Sequence, residues 1–105
     1  MKYCLSGRQP DSILKTVDEI KIELRDFRAI PDYMQKFPDK VLILDMENEL
    51  PEKFNWEDIG RYASIHNDFY CAISNKYQAA DCKRLNIKFY YKYAVTSFYE
   101  LDGLK

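Results

Sequence analysis

At 105 residues the chain has room for one ordinary domain and not for two. Hydrophobic residues make up 47% and charged residues 31%, enough for a buried core and against wholesale disorder. Lys+Arg is 16 against Asp+Glu 17, a formal charge of -1, which argues against general nucleic-acid or anionic-membrane surfaces, since both need excess cations.

Taken in chain order, Lys2 to Ser6 has the composition of a first strand. Asp11 or Ser12 then caps a short helix to about Val17, with Ile13, Leu14 and Val17 on its inner face. Glu19 to Arg25 alternates as a second strand, Ile20, Ile22 and Leu24 opposite Lys21, Glu23 and Arg25. A helix follows Asp26, where Phe27, Ile30, Tyr33, Met34 and Phe37 recur at helical spacing. Pro31 is tolerated in its first turns and Pro38 stops it.

Lys40 to Met46 is the third strand pattern. Asn55 caps a third helix to Ile65, striped by Trp56, Ile59, Tyr62 and Ala63. Asp68 to Ser74 is a fourth strand, and Asn75 caps a fourth helix with Tyr77, Ala80 and Leu85 inward. Asn86 to Val95 is the fifth strand, with Ile87, Phe89, Tyr91 and Tyr93 opposite Lys88, Tyr90 and Lys92. Thr96 or Ser97 opens a last helix, with Phe98, Leu101 and Leu104 in phase.

Strict alternation of strand and helix predicts an α/β fold with a parallel sheet and right-handed crossovers. A doubly wound sheet buries both faces of its strands, whereas two strands here carry one charged face. That pattern suits a (βα) barrel, in which helices cover only the outside. A full barrel takes about 250 residues. The expectation is therefore a single domain, 1–105, of about five parallel (βα) repeats forming half of a TIM-like barrel. Either the chain is a fragment of a longer barrel, as its end within a helical pattern suggests, or a second copy completes it.

Cys4, Cys71 and Cys82 are odd in number and form no C-x-x-C pair, and the lone His66 cannot complete a zinc set with them. They are expected to be reduced and mostly buried, with no metal site. His66 is expected at the surface or a helix end, on the side of a barrel that serves stability. No signal peptide is apparent, and the apolar run Val41 to Leu44 is far below the roughly 20 residues of a membrane span. The expected setting is the cytoplasm.

In (βα) barrel enzymes the reacting groups gather at the carboxyl ends of strands. That rule selects Arg8, Glu23, Arg25, Asp45, Glu47, Asn75 and Lys92 as candidate ligand-binding residues, beside Ser6, Gly7, Asp26, Ser74 and Thr96. Carboxylates, guanidiniums and a lysine in one mouth suit proton transfer, oxyanion binding or a Schiff base. The competing expectation is ion pairing among these charges. The mixed run Lys88 to Tyr93 has the aromatic and cationic residues of a single-strand nucleic-acid platform, but its alternation assigns it to a core strand.

The last segment, Tyr93-Ala94-Val95-Thr96-Ser97-Phe98-Tyr99-Glu100-Leu101-Asp102-Gly103-Leu104-Lys105, resembles a βα step of peptidase U32-like barrels. The rhythm of the whole chain is similar to the amino half of such a barrel, of a type that phages encode. The family's cysteine- and glycine-rich signature is absent, so the likeness implies a fold and carries over no functional residue.

These patterns predict the amino-terminal part of a barrel, with no efficient catalysis by this chain alone and the cofactor unspecified. The alternative is a complete non-enzymatic interaction module that docks through its charged sheet face. Uncovered edges predict self-association or a protein partner, with no nucleic acid and no membrane.

Overall fold

A computed structural model describes residues 4–92, without the side-chain surroundings of Cys4 and Leu5. Strand β1 (Cys4–Ser6) leads through a single helical turn, α1 (Asp11–Leu14), to β2 (Glu19–Glu23). A 3-10 stretch over Leu24–Ala29 runs into α2 (Ile30–Lys36), then β3 (Val41–Asp45) and α3 (Trp56–Ile65). Strand β4 (Phe69–Ile73), α4 (Lys76–Arg84) and β5 (Lys88–Tyr91) follow. The strands form one parallel sheet in the order β1-β2-β3-β4-β5. An α/β fold of alternating strands and helices is thus as the sequence predicts.

Several helix termini have a local cause. Pro31 occupies the start of α2, where a missing amide costs nothing, and Pro38 stands two residues past its last, Lys36. Asn55 caps α3 by accepting from the Glu57 amide at 2.8 Å, and Asn75 caps α4 by accepting from the Gln78 amide at 3.0 Å. At the far end of α4, Asn86 takes φ 60° while the Ile87 amide reaches back to the Cys82 carbonyl at 2.8 Å. Asn tolerates this left-handed turn better than most residues, and the turn satisfies carbonyls the helix leaves open.

Because every strand pairs with its sequence neighbour, right-handed crossovers carry all helices to the same face. The core has that one-sided form: Ile20, Ile22, Leu42, Leu44, Phe69, Cys71 and Ile73 pack against Leu14, Ile30, Ile59, Ala79 and Cys82. Phe54 bridges Phe27 and Trp56 in edge-on contacts of 5.4 and 5.2 Å, which binds the long β3–α3 loop to this layer. On the opposite face Lys21, Lys88 and Tyr90 are exposed, while Ile43 and Ala72 are buried.

Several local expectations need correction. The first helix stops at Leu14 and has no side-chain cap, and Ile13 is exposed rather than inward. The second strand ends at Glu23, and Leu24 is buried at the head of the 3-10 stretch. Helix α4 is turned from its expected phase: Tyr77 is 72% exposed and Ala80 is exposed, while Gln78, Ala79 and Cys82 point inward. The reason is polar. Gln78 accepts from the Ser74 amide at 2.7 Å and donates to the Glu47 carbonyl at 2.6 Å, so it is the side chain that can fill a site beside open backbone groups. His66 stands at the C-terminal cap of α3, one of the two positions expected, but is buried there, its Nε2 2.7 Å from the Lys40 carbonyl. The expected positions of Lys2, Tyr3, Tyr93, Thr96 and the last helix lie outside the described residues, as does the barrel-like segment 93–105.

Candidate functional site

Successive strands bring their carboxyl ends into one row, and the candidate residues divide there into two groups. Over β1 and β2, Arg8 lies 3.2 Å from Asp26 and pairs also with Glu23, which Arg25 reaches at 3.3 Å. Arg8 takes its position from a tight turn. The Gly7 carbonyl accepts from the Tyr33 hydroxyl at 2.7 Å, and a Cβ on Gly7 would lie 2.7 Å from that oxygen. Glycine is required by this close approach. Lost solvation works to lower the Arg8 pKa, but Asp26 and Glu23 outweigh it and raise the value, so the guanidinium stays charged and engaged. Burial, and then the Asp26 carboxylate, raise the Tyr33 hydroxyl above its ordinary value.

The second group lies over β3, β4 and β5. Asp45, Glu47, Asn48, Glu49, Ser74 and Lys92 line a cleft of about 440 Å³. Lys92 Nζ stands 2.8 Å from Asp45 Oδ1 and donates to the Met46 carbonyl at 2.7 Å, which also accepts from the Ser74 hydroxyl at 2.9 Å. Asp45 Oδ1 is enclosed from solvent, and its contact with Lys92 is an ion pair without hydrogen-bond alignment. Asn75 is spent on structure: besides capping α4 it donates to Asn48 Oδ1 at 3.0 Å, tying two loops together.

The structure therefore joins Arg8, Glu23 and Arg25 in one cluster and Asp45, Glu47 and Lys92 in another, and places Asn75 as a brace. Thr96 lies outside the described residues. Asn48, Glu49 and Gln78 were not singled out from sequence; the cap at Asn75 was the available signal for Gln78, which stands three residues after it. Chemically, the cations of both clusters already face carboxylates or carbonyls, and the exposed Glu47 and Glu49 give the cleft an acidic rim. Among the described residues no three His, Cys, Asp or Glu side chains are grouped as metal ligands. The Cys71 thiol is pushed well above its usual pKa by hydrogen bonding with Cys82 and then by burial, so it is a protonated core group and no nucleophile.

The sheet face opposite the described helices joins these clusters, and on it Ile43 and Ala72 are buried. Across it, Lys21 lies beside Ile43, Ile43 beside Tyr70, and Tyr70 beside Lys88. The next row toward the carboxyl ends is Glu23, Asp45, Ala72 and Tyr90. Toward the amino ends a groove of about 380 Å³ is lined by Glu19, Val41, Ile43, Asp68, Tyr70 and Tyr90. Lys88 Nζ sits 5.5 Å over the Tyr70 ring. No described helix is long and apolar enough to cross a membrane. No family, curated protein or solved structure matches the chain.

Proposed function

We propose that this chain is a protein-docking module that works through the charged sheet face opposite its described helices, without efficient catalysis of its own. One observation carries the reading. The sequential parallel order puts the described helices on one face, and on the other Lys21, Lys88 and Tyr90 are exposed around the half-buried Tyr70 and the buried Ile43 and Ala72. Exposed aromatic surface rimmed by charge commonly marks a contact with another protein surface. The internal pairing of Arg8 and Lys92 supports the same reading, because groups already engaged are poorly available to a substrate. The partner is a protein, a second copy or another chain.

Amine footprinting in the cells that make the protein tests this. Lys21 and Lys88 are expected to be protected relative to Lys15 and Lys36, all four being exposed in the single chain. Equal labelling of all four refutes the docking function.

A second reading is favoured by the cleft. Asp45, Glu47, Ser74 and Lys92 converge at the carboxyl edge, where (βα) barrels place their active sites. In that reading the chain is half of a TIM-like barrel, and the face opposite the described helices is its interior. Further βα units encoded downstream of Lys105 would support it, and a stop codon there would count against it.

A further inference from the structure

We draw no further inference here: the strongest candidate, the groove of about 380 Å³ lined by Glu19, Val41, Ile43, Asp68, Tyr70 and Tyr90 at the amino ends of the strands, lies on the face already assigned to docking, and nothing in the structure shows what covers it.

Discussion

Replacing Gln78 by methionine removes one side chain that supports two loops. The amide oxygen holds the Ser74 amide at 2.7 Å and the amide nitrogen holds the Glu47 carbonyl at 2.6 Å. The two losses differ in weight. Glu47 is exposed, so its carbonyl recovers water, whereas Ser74 is half-buried and its amide recovers less. The net loss is expected at about 1–2 kcal/mol, set largely by the stranded Ser74 donor. For a domain of this length that lowers the thermal midpoint by roughly 5–15 °C. Urea unfolding followed through the single tryptophan, Trp56 on α3, measures the change with its slope expected to stay constant. Tyr77→Ala is the internal control: its side chain is 72% exposed, and its loss is expected to stay within about 0.5 kcal/mol. Helical periodicity in the sequence predicts the opposite ranking. A Tyr77→Ala loss exceeding that of Gln78→Met would refute the observed phase of α4 and the account of the Ser74 and Glu47 loops built on it.

Three further perturbations separate pairing from packing. Lys92→Met leaves the enclosed Asp45 oxygen without its cation and is expected to cost about 1–2 kcal/mol, reduced from a fully buried pair because both groups keep some solvent. Adding Asp45→Asn should recover most of that loss in the same denaturation assay, and a double variant no more stable than Lys92→Met would contradict the pairing. Gly7→Ala pushes a methyl against the Tyr33 hydroxyl and is expected to destabilise by about 1–3 kcal/mol, while Tyr33→Phe costs about 1 kcal/mol; thermal midpoints that do not fall contradict the clamp. Hydrogen bonding from Arg84 holds the Glu57 carboxyl below its ordinary value. A depressed carboxylate contributes stability above its unfolded pKa and loses it as pH falls through the folded one. Carboxyl NMR titration should place the Glu57 midpoint below that of an ordinary glutamate and move it up in Arg84→Ala; an unmoved midpoint rejects the pair.

Strands were the most legible part of the chain because their signal is a period of two with β-branched and aromatic residues. Ile20 and Ile22 against Lys21, or Phe89 and Tyr91 against Lys88 and Tyr90, assign faces that the structure repeats. The caps at Asn55 and Asn75 were equally legible, since a short polar side chain before a helix has few other uses. Helix phase was not. A buried glutamine looks like a surface residue to any hydrophobicity pattern, and only the loop beside it reveals its partners. The helix-end position of His66 was legible but its burial was not, for the same reason: a carbonyl on the neighbouring connection, at Lys40, makes that burial possible. Carboxyl-end residues were found by rule, but their division into two clusters depends on side-chain reach across strands, which spacing along one strand does not encode.

The neighbour-to-neighbour order of the sheet also bears on how the chain is made. As residues leave the ribosome, each strand from β2 onward finds its pairing edge already synthesised, one βα step earlier. No strand waits for a distant one, as a central strand flanked by late arrivals must, so loop closure remains cheap at every stage. Structure can accrue vectorially, one layer at a time, with the growing edge always the most recent strand. The same property makes the sheet extensible in evolution: duplication of a βα step adds a strand at an edge without repairing any existing pair.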